Sequence, residues 1–177
     1  YFQYESPVRH SEHSGISVEA DRVRQDYELF LQKRLSGLRS LAAFYEFEQL
    51  TDSDFLAKKL QILQKEIKGF EDLGVLDRHG LMRSYAGPYS LEERDFSKSF
   101  WFQQISREKS CCVWTNDDAQ PLFILSVRVD SAKGESWYVR AAILPEVVAT
   151  LASPPGRDTA MEVLLTNRSG ILQTPSI

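Results

Sequence analysis

From Val23 onward an apolar stripe runs Val23, Tyr27, Phe30, Leu31, Leu35, Leu38, Leu41, Ala42 and Tyr45. These are steps of three and four held for about six turns, which only an amphipathic helix satisfies. The spacing predicts one helix over 18–48, ~45 Å long at 1.5 Å per residue. Its opposite face carries Arg22, Arg24, Asp26, Glu28, Lys33, Arg34 and Arg39, a solvated set. A helix this long is a stalk, a scaffold or a dimer seam, with Leu31, Leu35, Leu38 and Ala42 on the buried stripe. Thr51-Asp52-Ser53-Asp54 then supplies capping side chains for a second helix carrying Phe55, Leu56, Leu60, Leu63, Ile67 and Phe70.

After Phe70 the period changes. Short apolar runs at 73–76 and 81–85 flank the turn Asp77-Arg78-His79-Gly80, the pattern of a hairpin closed by Gly87-Pro88. Residues 91–106 are polar but hold Phe96, Phe100, Trp101 and Ile105, which suits one or two short helices packed on a sheet. Three more strands are expected at 112–115, 122–129 and 137–144, separated by turn-rich segments. Residues 146–152 suit a short helix, and Ser153-Pro154-Pro155-Gly156 is the strongest linker signal. Two helices, two strands, short helices and three strands make an α+β chain with a five-stranded antiparallel sheet.

Composition excludes several functions. With 21 basic and 25 acidic side chains and no dense basic run, the chain lacks the footprint that nucleic-acid binding requires. Its 42% hydrophobic and 11% aromatic content supports an ordinary core, and no stretch reaches the roughly 20 apolar residues of a membrane span. Cys111 and Cys112 are adjacent, which opposes a bridge between them, and they read as small packed side chains. Tyr1-Phe2-Gln3 resembles the tail of an engineered cleavage site and fits native sequence equally, so it stays outside the fold argument.

The chain holds three histidines, His10, His13 and His79, none with a nucleophile or a full set of metal ligands nearby. Phosphate-cradling and zinc-protease motifs are missing too, so neither a catalytic site, a metal site nor a cofactor is expected. One internal similarity stands out: 75–84 overlays 165–174 without gaps, each a strand, an Asx-Arg-X-Gly turn and a strand. Shared hairpin chemistry and a tandem repeat both account for it.

A long helix, then GFEDLGVLDRHGLMRSYAGPYSLEERDFSKSFWFQQ, PLFILSVRV, WYVRAAILPEVV and EVLLTNRSGILQTPS in that order resembles the extracytoplasmic double Cache sensor domains of bacterial membrane-bound histidine kinases. The resemblance covers roughly Val23 to the end. It implies a PAS-like (Cache) sheet, a periplasmic location as part of an inner-membrane protein, and two-component signalling through the N-terminal helix. It divides the chain into an N-terminal tail (1–16), the long and second helices (17–70), a membrane-distal unit (71–152), a linker (153–160) and the opening hairpin of a truncated second unit (161–177). It also implies a small-molecule ligand and a homodimer through the long helix.

Amino-acid-binding members of that family carry an Arg two residues before a Trp-aromatic pair and an Asp at the end of the fifth strand. Here Trp101-Phe102 match the pair, while Ser99 and Leu144 stand at the charged positions. Without those charges a zwitterionic amino acid loses both grips. A small organic acid or an uncharged metabolite is expected instead, bound beside the Trp101 segment by Tyr85, Trp101, Phe102, Trp114, Tyr138 and Arg140. Two-residue alternation from Leu144 puts Ala142, Arg140 and Tyr138 on one face, making Arg140 the polar anchor. A buried guanidinium needs an anion, and a protein carboxylate serves as well as a ligand. The competing readings are a ligand-free interaction module, whose side chains fill that space, and an unrecognised hydrolase, which the scarcity of histidine opposes.

Overall fold

The computed structural model describes residues 8–108, 110–115, 122–131, 134–144, 146–147 and 150, with side chains at 18 and from 21 onward except those of 110–115 and 122. The long helix, α1, runs Val8–Phe44 for 37 residues. It therefore starts earlier than position 18, within the expected tail, and stops before 48. The stop has a local cause. Glu46 is extended, and its backbone N–H donates to the Gln49 side chain at 3.0 Å, starting the short helix α2, Phe47–Leu50. Asp52 then caps α3, Ser53–Glu66, by accepting from the Phe55 N–H at 2.8 Å.

Five strands follow: β1 Leu73–Leu76, β2 Met82–Ala86, β3 Ser110–Thr115, β4 Leu122–Asp130 and β5 Ser136–Ile143, with helix α4, Phe100–Arg107, between β2 and β3. They form one antiparallel sheet in the order β2-β1-β5-β4-β3. The hairpin and the three-strand meander are as the turn signals predict. At the hairpin tip the Asp77 carboxylate accepts from the N–H groups of His79 and Leu81 at 2.9 and 3.1 Å. Gly80 has φ +88°, and a Cβ there would lie 2.9 Å from a Phe102 ring carbon. Only glycine suits both the turn and that approach.

Paired residues in adjacent strands share a face, so the register sorts the sheet into two sides. Phe123, Leu125 and Val127 pair with Ile143, Ala141 and Val139, and this side meets the helices α1 and α3 in the larger core. Phe30, Leu38 and Leu41 are buried there, with Leu31, Leu35 and Ala42 packed at its margin. The stripe proposed as a dimer seam is thus occupied by the sheet of the same chain. Arg34 joins it: its guanidinium lies over the Phe30 ring and donates to the Phe30 and Lys68 carbonyls. Burial lowers its pKa to about 10. This ties α1 to the connector between α3 and β1.

The other side carries Ile124, Ser126 and Arg128 of β4 beside Ala142, Arg140 and Tyr138 of β5. Helix α4 covers it. Residues 151–177 lie outside the described ones, and so do the linker and second-unit assignments made for them.

Candidate functional site

The face under α4 is built by alternation. Gly74 of β1 sits between Tyr85 of β2 and Arg140 of β5 in the ladder, and Leu76 lies beside Tyr138. Helix α4 presents Trp101, Phe102 and Ile105, all buried, and its last turn is fixed by Arg128, which donates to the Ser106 carbonyl at 2.8 Å. Arg128 also donates to Asp130 and to the Ser136 hydroxyl, so its own orientation is set by both strands.

Of the expected site residues, Tyr85, Trp101, Phe102, Tyr138 and Arg140 come together here. The first four belong to one cluster with Leu76, Met82, Leu91, Phe96, Ile105, Ile124 and Ala142. Phe102 meets Tyr138 edge-on at 4.9 Å between centroids and Trp101 at 5.9 Å, and Trp101 also meets Phe96 at 5.3 Å. Trp114 falls in β3 opposite Phe123, and its side chain lies outside the described ones.

Arg140, only 2% exposed, places its guanidinium carbon 5.9 Å from the Trp101 ring centre. Its anion is Asp72, a fully buried residue of the α3–β1 connector that sequence reasoning did not single out. Arg140 Nη2 donates to both Asp72 oxygens, at 3.1 and 2.8 Å. The Ala142 N–H donates to Asp72 at 2.6 Å, and the Tyr85 hydroxyl donates to the same carboxylate at 3.1 Å. The Tyr85 oxygen in turn accepts from the Tyr89 N–H at 3.3 Å. Burial, then the nearby Asp72 charge, raises the Tyr85 pKa, so this phenol stays protonated and donates.

Two close approaches make the cluster possible. A Cβ on Gly74 would lie 2.7 Å from the Met82 sulfur and 3.3 Å from Arg140 Cγ. A Cβ on Gly87 would lie 2.4 Å from the Tyr85 oxygen. The available signal for Asp72 was chemical rather than periodic: a buried arginine requires a carboxylate, but the sequence offers 25.

A separate cleft of about 370 Å³ opens at the hairpin tips, lined by Phe47 and Glu48 of α2, Asp77, Arg78 and His79 of the β1–β2 turn, and Trp137 of β5 among others. Sequence reasoning did not foresee it, because three loops distant in sequence supply its walls. Arg78 there donates to His79 Nε2 at 2.9 Å and lies 3.8 Å from Glu135, an exposed arrangement. Among the described residues no group of His, Cys, Asp and Glu is placed to hold a metal ion.

No family model matches the sequence, and no curated protein matches it. Solved structures do match. The chain is similar to the extracellular domain of a protein described as a histidine kinase, rpHK1S-Z16, at 15% identity over 81% of this chain and 61% of that one, with a TM-score of 0.60. It is similar to the sensory domain of the Campylobacter jejuni chemoreceptor Tlp3 at 13% identity over 92% of this chain and 72% of that one, with a TM-score of 0.65. The Escherichia coli DcuS sensor domain matches at 12% identity over 71% of this chain and 96% of that one, with a TM-score of 0.56. Another Tlp3 structure, in complex with 4-methylisoleucine, matches at a TM-score of 0.63. The chain spans less than two thirds of the length of the rpHK1S-Z16 domain and of that Tlp3 complex, at 61% and 65%. At these identities the likeness is one of architecture, and the chain has the α+β, PAS-like fold that its sequence resemblance implies.

Proposed function

We propose that this chain is the extracytoplasmic ligand-sensing part of a membrane-bound, two-component histidine kinase. The observation that carries the reading is a buried polar cluster, Arg140, Asp72 and Tyr85, set under an aromatic helix in a sensor-domain fold. A core built for stability alone gains little from a buried ion pair, whereas a recognition site uses one to orient a ligand. The ligand is a small molecule seated between the sheet and α4, touching Trp101 and neighbours among Tyr85, Phe102, Trp114, Tyr138 and Arg140. Residues 71–152 form the membrane-distal unit, 153–160 link it onward, and 161–177 open a second, membrane-proximal unit. Occupancy is relayed through α1, which packs on the opposite side of the same sheet, and a second copy associates along the face of that helix turned away from the sheet, where Leu29 is exposed. Among the described residues no helix is long and apolar enough to cross a membrane, and the tether lies outside them.

One observation favours the ligand-free interaction module: Asp72 already serves Arg140, and the aromatic rings touch one another. Thermal denaturation across a library of small metabolites separates the two. A ligand at 100 times its dissociation constant adds ~2.7 kcal/mol, a midpoint shift of roughly 5–11 °C for a domain of this size. Sensing predicts that at least one compound gives such a shift and that Trp101→Ala abolishes it. A library that shifts nothing supports the interaction module.

A further inference from the structure

Two buried polar groups under α4 have no hydrogen-bond partner among the described residues, the Arg140 Nε–H and the Ser126 hydroxyl. They are neighbours by construction, because Ser126 of β4 pairs with Arg140 of β5 and cross-strand partners share a face. Ser126 is fully buried and Arg140 is 2% exposed. Native structures rarely leave such groups without a partner, and each exception calls for a cause such as strain, a catalytic role or a bound water, ion or ligand. Resting on the sensing role proposed above, we infer that the ligand of this site is an uncharged carbonyl compound whose oxygen accepts from Arg140 Nε and from the Ser126 hydroxyl.

The charge balance selects the neutral molecule. Asp72 meets the Arg140 cation, and the other contacts of that carboxylate are the Ala142 N–H and the Tyr85 hydroxyl. A ligand carboxylate would bring a second anion to a cation already paired, in surroundings set by Leu76, Met82, Trp101 and Ile105. Burying that extra charge is costly, while an amide or ketone oxygen needs only the two donors that stand free. A carbonyl oxygen has two lone pairs, one for each donor. This narrows the organic acid or uncharged metabolite expected from sequence to the uncharged class.

Matched pairs of probes test the inference: lactamide against lactate and propionamide against propionate, each at the same millimolar concentration, read by thermal denaturation of the whole chain and by calorimetry. The amides should raise the midpoint and the acids should not. Ser126→Ala removes one donor with little change in volume and should weaken the amide about tenfold, equivalent to ~1.4 kcal/mol, without lowering the midpoint of the free protein. Stabilisation by the acids in place of the amides would overturn the neutral-ligand inference while leaving the sensing role intact. Amide binding unaffected by Ser126→Ala would overturn the assignment of these two donors, and no response to either amide would overturn the inference. Failure of the sensing role itself has a different signature, a broad metabolite library in which no compound acts.

Discussion

Arg140 and Asp72 stand 68 residues apart in sequence and meet through a single guanidinium nitrogen that donates to both carboxylate oxygens. The contact links the start of the first strand to the middle of the last, beneath the helix that carries Trp101. Removing one partner of a buried ion pair leaves the other uncompensated, at a cost of about 3–5 kcal/mol. Asp72→Ala and Arg140→Ala should each lose that much in urea denaturation. The double variant Asp72→Asn with Arg140→Met keeps an acceptor for the Ala142 N–H and removes both charges, so it should recover most of the loss.

Tyr85 contributes a pH dependence of defined sign. Its folded pKa is raised above the ordinary tyrosine value of about 10. Above that pH the unfolded chain loses a proton that the folded chain keeps, so stability falls as the solution becomes more alkaline. Tyr138 is shifted in the same direction, again chiefly by burial. Tyr85→Phe should lose about 1.5–3 kcal/mol at neutral pH with the hydrogen bond to the Asp72 carboxylate, and its stability should fall less steeply above pH ~10. Denaturant titrations at neutral and alkaline pH give both numbers.

Along α1, burial within the chain follows the apolar stripe that the sequence pattern picks out, which includes Leu38 and omits Leu29. Leu38 is fully buried against the sheet, whereas Leu29 is 64% exposed. Leu38→Ala should cost about 2–5 kcal/mol and Leu29→Ala about 0.5 kcal/mol or less. Equal effects at the two positions would place the buried face of the helix elsewhere.

At the hairpin tip Gly80 combines a positive φ with close approach to Phe102. Gly80→Ala should destabilise by about 1 kcal/mol or more, and it should disturb the aromatic cluster, visible as a change in near-ultraviolet circular dichroism.

How far the sequence carried the account differs from element to element. The meander and hairpin were legible because the turn Asp77-Arg78-His79-Gly80, the turn-rich segments between the later strands and the short apolar runs they bound are local signals. The aromatic cluster was legible too, since alternation from Leu144 puts Tyr138 and Arg140 on one face and Trp101 lies on a short amphipathic helix. Asp72 was not. It follows Glu71 in a connector with no period to read, and its role depends on a strand 68 residues away. The break after Phe44 was also hidden, because the apolar stripe continues through Tyr45 and only the Glu46–Gln49 contact interrupts the helix. Helical periodicity identified the stripe of α1 but could not say whether a second copy or the chain's own sheet covers it.

Two tryptophan indoles test the central claim directly, because Trp101 projects from α4 into the cluster on the sheet and Trp137 lines the hairpin-tip cleft. Nuclear magnetic resonance of the indole N–H groups, recorded while adding any compound that stabilises the chain, should show the Trp101 signal moving with the titration and the Trp137 signal unchanged. Movement of Trp137 with Trp101 unchanged would place the ligand in the cleft and contradict a sensing site between the sheet and α4.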